Sequence, residues 1–218
     1  MADHISAIVI GLGRFGGALA RTLTGLGHEV LGVDESEERV SELRDELTHV
    51  VVADSTDVRA LLQLGANEFD RAVVAIGSDI EASILTVSAL VDVGVPDIWA
   101  KATTASHARI LKRVGAHHVV FPEQQMGERV AHLVAGRMLD FLELDAGFAL
   151  VETQAPASLL GRSLADIGVR ARFGLTVVCV KPKGGSFTYA TADTVLEAGD
   201  IVVVAGETAQ AEAFASLE

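Results

Sequence analysis

The sequence contains little cysteine, few aromatic residues and a shortage of positive charge. A single cysteine among 218 residues excludes an internal disulfide and a zinc cage built from cysteines. This residue, Cys179, lies in an apolar run, so we expect its side chain to be buried. Seventeen lysines and arginines stand against 30 aspartates and glutamates, and the resulting formal charge of -13 disfavours nucleic acid or an anionic membrane as partner.

Long apolar runs are also missing, although half of the residues are hydrophobic. No stretch approaches the roughly 18 to 20 apolar residues that a helix needs to span a bilayer, and no secretory signal precedes the first apolar run. We therefore expect a cytoplasmic protein without membrane insertion of its own. The apolar residues are mostly alanine, valine, leucine and isoleucine, which suit buried parallel strands covered by helices.

Short β-branched runs alternate with longer amphipathic segments in the first half of the chain, a pattern typical of βαβ units over a parallel sheet. We predict a Rossmann-type, doubly wound α/β domain over residues 1–122, which binds a nucleotide. Its strands are predicted at 7–10, 29–33, 50–52, 72–76, 98–101 and 118–121, and its helices at 15–26, 37–46, 58–64, 80–93 and 105–114.

Two further segments follow this domain. Residues 123–144 carry an apolar stripe at helical spacing and predict one long helix, which either packs on its own sheet or serves as a crossover or dimer helix. Residues 145–218 are predicted to form a small α+β domain. Its strands are expected at 148–152, 175–181, 186–189 and 201–205, and its helices at 160–167 and 208–217.

The first predicted strand leads into Gly11-Leu-Gly13-Arg14-Phe15-Gly16, the order of strand, glycine turn and helix that a dinucleotide-binding fingerprint requires. Gly11 allows the tight turn, Gly13 lets backbone N–H groups approach a phosphate, and Gly16 allows close packing of helix on strand. The N-terminus of the helix adds partial positive charge towards the phosphates.

Polar residues follow the next predicted strands. Asp34 closes the second strand, where a carboxylate accepts hydrogen bonds from ribose hydroxyls and repels a 2′-phosphate, so NADP is disfavoured; helix capping is the alternative. Asp54 and Ser55 end the third strand and either reach an adenine or its ribose or cap the following helix. Ile76 and Gly77 end the fourth strand, at the same ligand-binding edge of the sheet.

Several segments, taken with the glycine turn and Asp34, resemble RCK domains, the regulators of potassium conductance found as cytosolic subunits of Ktr and Trk potassium transporters. These segments are Ala53-Asp54-Ser55-Thr56, Trp99-Ala-Lys101-Ala, Val119-Val-Phe-Pro122-Glu123 and Leu196-Glu-Ala-Gly-Asp200. The resemblance extends over nearly the whole chain. It implies a regulatory subunit that holds ATP or ADP, or NAD(H), and homodimers that assemble into an octameric ring on a membrane-embedded potassium transporter subunit.

The same resemblance assigns roles to residues. The nucleotide would be lined by Gly11, Gly13, Arg14, Phe15, Gly16, Asp34, Asp54 and Ser55, and further by Ile76, Gly77 and Lys101. Arg14 would favour a terminal phosphate, or else remain a solvated surface arginine. Glu123 would hold a Mg, Ca or Na ion at the subunit interface, or else lie in the first turn of a helix. Cyclic di-AMP would bind the small domain near 170–173 and 176–180.

Residues suited to catalysis are sparse around the predicted cleft. All seven histidines lie at or before His132, and His107 is expected on a solvated helix face. No Gly-x-x-x-x-Gly-Lys-Ser/Thr loop is present, so the chain lacks the cradle of P-loop phosphoryl transfer. The sequence favours ligand sensing and predicts a protein that is not an enzyme. The alternatives are a small NAD-dependent oxidoreductase with a site at an oligomer interface, and a cyclic-dinucleotide receptor whose Rossmann half is an oligomerisation scaffold.

Overall fold

The computed structural model describes residues 4–135 and 138–217, and the chain divides into two compact units, Met1–Glu123 and Gln124–Glu218. The strands of the first unit are β1 (Ser6–Ile10), β2 (Glu29–Asp34), β3 (His49–Val52), β4 (Arg71–Val74), β5 (Ile98–Lys101) and β6 (His118–Val120). Its helices are α1 (Arg14–Gly25), α2 (Glu37–Leu43), α3 (Val58–Gln63), α4 (Ile80–Val93) and α5 (Ala105–Val114), with a 3-10 turn at Ala66–Glu68.

The six strands form one parallel sheet in the order β3-β2-β1-β4-β5-β6. The chain returns to the middle of the sheet between β3 and β4, so β1 and β4 are neighbours from which the connections run in opposite directions. In such sheets ligands bind outside the carboxyl ends of the strands at this switch point. The predicted Rossmann-type sheet is confirmed, and each predicted strand and helix of this unit is present with its ends within three residues.

Strand β1 supplies side chains to both faces of the sheet. Ile8 and Ile10 pack into the core formed with α3, α4 and α5, where Leu90 and Leu111 are also buried. Val9 points to the other face and packs with residues of α1 and α2. Burial of each such aliphatic side chain contributes roughly 1.5–3 kcal/mol to folding stability. The central strands are therefore stably packed and hold the residues at their carboxyl ends in position.

The second unit combines an antiparallel sheet with short helices. Its strands are β7 (Met138–Asp145), β8 (Phe148–Gln154), β9 (Thr176–Lys181), β10 (Thr188–Tyr189) and β11 (Ile201–Glu207), in the order β10-β9-β11-β8-β7. Its helices are α6 (Pro122–Ala135), which begins with the last two residues of the first unit, α7 (Leu164–Ile167), α8 (Val169–Phe173) and α9 (Thr208–Ala215), with a 3-10 turn at Ala157–Leu159. The small α+β domain is thus confirmed.

The long helix predicted at 123–144 is wrong in its last third. Helix α6 ends at Ala135, residues 136 and 137 lie outside the described part of the chain, and strand β7 begins at Met138. A register shift in the pairing with β8 lies between Met138 and Asp140, so Met138 and Phe141 are both buried although they stand three residues apart. A bulge of this kind changes the side-chain alternation of a strand and imitates helical spacing.

Polar and aromatic contacts hold α6 to the second unit. Arg129 donates to both carboxylate oxygens of Asp140 on β7, with N···O distances of 2.6–2.9 Å. The ring of His132 stacks on Phe141 at 4.0 Å, and its Nδ1 lies 2.8 Å from Oε1 of Glu212 on α9. These contacts involve the C-terminal half of the helix.

Two smaller expectations are also wrong. Cys179 lies in β9, but its side chain is partly exposed rather than buried. The helix predicted at 160–167 is present only at Leu164–Ile167, while Leu160 is extended. Throughout 4–135 and 138–217, each helix is too short or too polar to cross a bilayer.

Candidate functional site

The glycine turn after β1 is tightly built. Gly11 has φ +90°, and a Cβ placed on it would lie 3.1 Å from the Ile76 side chain. A Cβ on Gly16 would lie only 1.9 Å from the carbonyl oxygen of Gly11, so α1 packs directly on the turn. A Cβ on Gly13, in contrast, would meet no atom within 4 Å. The first and third glycines are therefore needed for packing, and the second borders open space.

The N-terminus of α1 opens onto the same space. Gly13 is its N-cap and has no side chain to accept a hydrogen bond from the first turn, which itself carries no acidic residue. The partial positive charge of the helix end is therefore left without a carboxylate from its own first turn. Such an end is suited to bind an anion.

Asp34 braces the glycine turn from the neighbouring strand β2. Its carboxylate is 4% exposed, accepts a hydrogen bond from the Leu12 N–H at 2.6 Å, and lies 3.3 Å from a guanidinium nitrogen of Arg39. The other carboxylate oxygen accepts the N–H of Ser36 at 2.9 Å. Ser36 is the residue that caps α2, so the alternative role of Asp34 as helix cap is wrong.

Asp54 and Ser55 follow β3 at the same edge, but their side chains point to different surroundings. Asp54 is exposed, and its Oδ1 accepts hydrogen bonds from the N–H and hydroxyl groups of Thr56 at 2.9 and 2.7 Å. Ser55 is buried, and its hydroxyl lies 2.8 Å from that of Thr86 on α4. The cap of α3 is Asp57, which corrects the alternative that Asp54 or Ser55 caps it.

Lys101 ends β5 and lies beside two predicted site residues. Its side chain is 11% exposed. The ammonium nitrogen would be 2.9 Å from a Cβ placed on Gly77 and lies 5.9 Å from the centroid of the Phe15 ring. The missing side chain of Gly77 therefore makes room for a buried ammonium group close to the start of α1.

Glu123 accepts a hydrogen bond from Lys101 at 2.5 Å. This bond holds the pKa of the Glu123 carboxyl below its usual range, and the positive charge of Arg14 acts in the same direction. Glu123 also lies in the first turn of α6, as the alternative interpretation expected. No group of three or more His, Cys, Asp or Glu side chains that could hold a metal is found in the described part of the chain, and the role of Glu123 as a metal ligand stays a prediction.

The charges beside the glycine turn do not cancel. Arg14 and Lys101 contribute two positive charges and Glu123 one negative charge, while Asp34 is paired with Arg39, and the α1 N-terminus adds partial positive charge. The chain as a whole carries a formal charge of -13, so this local excess of positive charge is unusual for the molecule. The arrangement can bind a polyanion in the space in front of Gly13.

Sequence reasoning missed several residues around the site. His107, expected on a solvated face, is 2% exposed on the inner face of α5, and its Nδ1 lies 3.4 Å from the Thr103 N–H. Burial lowers the pKa of His107. His107 is buried on the same helix face as Ala108 and Leu111. The helical spacing of these three residues could have predicted that His107 is buried. No local sequence pattern predicts that Thr86 is the hydrogen-bond partner of Ser55.

Comparison with known protein families gives two matches that together cover most of the chain. The TrkA-N domain matches residues 7–122, and the TrkA-C domain matches residues 148–217. Ktr system potassium uptake protein C of Bacillus subtilis (strain 168) is 40% identical over 207 residues, covering 94% of each chain. Ktr system potassium uptake protein A of the same organism is 36% identical over 199 residues, covering 91% of this chain and 90% of that protein.

Solved structures share the fold. The RCK domain of GsuK has a TM-score of 0.67 at 19% identity and matches 98% of this chain and 48% of its own. The GsuK channel bound to NAD has a TM-score of 0.65 at 19% identity and matches 100% of this chain and 40% of its own. This chain therefore spans less than half of either GsuK chain, and at this identity the likeness establishes the fold rather than a shared ligand.

Proposed function

This chain belongs to the RCK family, in which a TrkA-N domain is followed by a TrkA-C domain, and on this basis we propose that it is a regulatory subunit of a potassium-uptake system. Two of its relatives are themselves named Ktr system potassium uptake proteins. Its partner is then a membrane-embedded potassium transporter subunit, and the chain acts on the cytoplasmic side of the membrane through that partner.

The ligand of the first unit is an adenine nucleotide, ATP or ADP, with NAD(H) as a weaker candidate. The observation that carries this proposal is the uncapped N-terminus of α1 with Arg14 and Lys101 beside it and the Asp34 carboxylate on the next strand. Backbone N–H groups and cations suit the phosphates, and a fixed carboxylate suits ribose hydroxyls. The structurally similar GsuK channel has been solved bound to NAD, and we take this as support for a nucleotide ligand in such a fold.

The site residues divide by chemistry. Gly11, Gly13 and Gly16 shape the turn that faces the phosphates. The base and its ribose lie towards the other strand ends, where Asp54 offers an exposed carboxylate and Ser55 contributes its backbone because its hydroxyl is bonded to Thr86. We assign Phe15, Ile76 and Gly77 to the space between these two ends, because Phe15 and Gly77 lie beside Lys101 and Ile76 lies beside Gly11.

Glu123 is the proposed ligand of a Mg, Ca or Na ion. Its carboxylate is 65% exposed and supplies the hard oxygen that such ions prefer. One carboxylate cannot fill the coordination of these ions, so the remaining ligands would come from nucleotide phosphates and a second subunit.

A homodimer is supported by the surface of α6. No residue of this helix is buried, and Met126, Val130 and Val134 are 53%, 45% and 81% exposed along one stripe at spacing of four residues. Such a stripe is typical of a helix that packs against another helix. We propose that α6 pairs with a second copy and that such dimers assemble into a ring, an octamer by the family resemblance.

The second unit is proposed to sense cyclic di-AMP. Arg170 donates to the Thr176 hydroxyl at 3.0 Å, and the guanidinium of Arg172 lies 5.0 Å from the centroid of the Phe173 ring. Two guanidinium groups suit the two phosphates of this ligand, and an aromatic ring suits its bases.

The test is calorimetry with ATP, ADP, NAD, NADH and cyclic di-AMP on the wild-type chain and on Arg14→Ala. ATP and ADP should bind, and Arg14→Ala should weaken ATP about tenfold or more while removing its advantage over ADP. Arg44→Ala, an exposed arginine at the end of α2, is the control and should leave both affinities unchanged. Absence of binding at millimolar concentration, or an equal effect of Arg14→Ala on ATP and ADP, contradicts the proposal.

The same samples separate sensing from catalysis. Bound NADH or ATP should be recovered unchanged after hours of incubation. Consumption of either compound would favour the oxidoreductase or another enzyme.

A further inference from the structure

The carboxylate of Asp34 has little acceptor capacity left for a ribose. A carboxylate offers about four lone-pair positions to hydrogen-bond donors. Three of these positions are taken before any ligand binds, by the N–H groups of Leu12 and Ser36 at 2.6 and 2.9 Å and by Nη1 of Arg39 at 3.3 Å. The two hydroxyls of an adenosine ribose therefore meet a carboxylate that accepts one of them without rearrangement.

Arg39 is the donor on Asp34 that a ligand also meets. The other two donors are backbone groups of the glycine turn and of the α2 cap, whereas the Arg39 side chain is 49% exposed beside a carboxylate that is 3% exposed. Because the guanidinium nitrogen lies 3.3 Å from Oδ2 of Asp34, a hydroxyl bonded to this carboxylate lies within reach of Arg39. Arg39 is also the only lysine or arginine between residues 29 and 43, so no neighbouring cation replaces it.

Arg39 could act on a ribose in two opposite ways, as a competitor for Asp34 or as a donor to the ribose, and the magnitudes decide between them. A single half-exposed ion-pair contact of this length is weak, so moving the guanidinium costs little. A charge-assisted hydrogen bond to a hydroxyl oxygen is stronger than a neutral one. One of the five guanidinium N–H groups has a protein partner in the described part of the chain, so donors remain for the ligand.

We propose, on the basis of the nucleotide site described above, that Arg39 is a specificity-determining residue for the ribose. A ribose hydroxyl donates its hydrogen to Asp34, and its oxygen accepts a hydrogen bond from Arg39. The two side chains together recognise a group that is both donor and acceptor, which a C–H bond cannot replace. A ligand without these hydroxyls gains nothing from Arg39, so the pair favours ribonucleotides over their deoxy counterparts.

The experiment measures the affinities of ATP and 2′,3′-dideoxy-ATP by calorimetry for the wild-type chain, Arg39→Gln and Arg44→Gln. Arg39→Gln should weaken ATP and leave dideoxy-ATP nearly unchanged, so the ratio of the two affinities should fall about tenfold. Arg44 is exposed at the C-terminal end of the same helix, so Arg44→Gln removes the same charge and should keep the wild-type ratio.

Two results of the calorimetry would overturn this inference alone. An equal loss for ATP and dideoxy-ATP in Arg39→Gln would mean that Arg39 acts through its charge on the phosphates. Tighter binding of ATP in Arg39→Gln would make Arg39 a competitor for Asp34. If the wild-type chain binds neither nucleotide, the proposed function and this inference both fall.

A second measurement separates a ligand contact from a role in holding Asp34. The Leu12 amide, which donates to Asp34, should exchange its hydrogen at the wild-type rate in ligand-free Arg39→Gln, because two backbone donors still hold the carboxylate. A lower affinity ratio together with faster exchange at Leu12 would assign the effect to a displaced Asp34 and overturn the contact between Arg39 and the ribose.

Discussion

The hydroxyl of Ser55 lies 2.8 Å from the hydroxyl of Thr86, and both side chains are buried. Ser55 follows β3, and Thr86 lies on α4, the helix after β4. This hydrogen bond therefore connects the segment after β3 with the helix after β4, although the two residues are 31 positions apart. The bond fixes the backbone next to Asp54. The position of the proposed base-binding end therefore depends on Thr86, which is not one of the proposed ligand contacts.

Replacement of Thr86 by valine should destabilise the first unit by about 1–3 kcal/mol, because the buried Ser55 hydroxyl loses its partner. Urea unfolding is followed by the fluorescence of Trp99, the only tryptophan in the sequence, which lies in β5. The double variant with Ser55→Ala should cost less than the sum of the two single changes. As a control, Thr22→Val on the exposed face of α1 should stay within about 0.5 kcal/mol of wild type. Additive costs would contradict the coupling.

Gly13 and Gly16 should respond very differently to replacement by alanine. Gly16→Ala should destabilise the first unit by about 3 kcal/mol or more, since its Cβ would lie 1.9 Å from the Gly11 carbonyl oxygen. Gly13→Ala should change the stability by less than about 1 kcal/mol, because Gly13 has φ -67° and open space around it.

We expect the affinity for ATP, unlike the stability, to be sensitive to Gly13→Ala. The methyl group of Gly13→Ala enters the space in front of α1, so the variant should keep the wild-type unfolding midpoint and lose affinity for ATP. An alanine at Gly13 that binds ATP as well as wild type would show that the phosphates lie elsewhere.

His107 should make the first unit sensitive to mild acid. Burial lowers the pKa of His107 from its ordinary value of 6.5, so the stability that depends on neutral His107 is complete above pH 6.5 and is lost as pH falls towards the lowered pKa. His107→Asn should flatten this dependence in urea midpoints measured at pH 7.5, 6.5 and 5.5. His49→Asn, an exposed histidine at the start of β3, should retain the wild-type slope.

The ion pair of Arg129 and Asp140 should make the stability of the second unit depend on pH in a more acidic range. The hydrogen bonds from Arg129 lower the pKa of Asp140, so their contribution is present above the ordinary value of 3.8 and is lost as pH falls through the lowered pKa. Asp140→Asn should cost about 0.5 kcal/mol near pH 6, a small value because the pair is partly solvated. Hydrogen exchange of the β7 and β8 amides should show the stability difference between wild type and Asp140→Asn closing below pH 3. Asp145→Asn on the same strand should show no comparable gap from wild type. A gap that persists at low pH would exclude the ion pair as its cause.

Most of the first unit was predictable because its strands are buried on both faces and its helices begin and end at distinct residues. Helix α4, for example, was predicted at its observed bounds, Ile80–Val93, between the Asp79 cap and Gly94. Strand β7 was not predictable, because the bulge after Met138 brings Phe141 to the same face and gives the apolar residues the spacing of a helix.

In the candidate site, too, some residues were predictable from the sequence and others were not. The glycine turn and Asp34 lie in one continuous βαβ segment, so their spacing alone placed them together. The partners of Lys101 and Ser55 depend on contacts between distant segments, because Lys101 binds Glu123 22 residues away and Ser55 meets Thr86. No periodicity along the chain encodes such pairs, and they follow only from the packed sheet.

The contact of α1 with the Gly11 carbonyl also limits how this protein can respond to a ligand. Since Gly16 leaves no gap between helix and turn, the loop cannot open or close by itself without separating α1 from β1. The backbone of the proposed anion site is thus already in place in this structure, and little conformational entropy should be lost there on binding. For the proposed nucleotide site, discrimination between ligands therefore has to begin in the side chains around this loop, such as Lys101 and Glu123, rather than in the loop backbone.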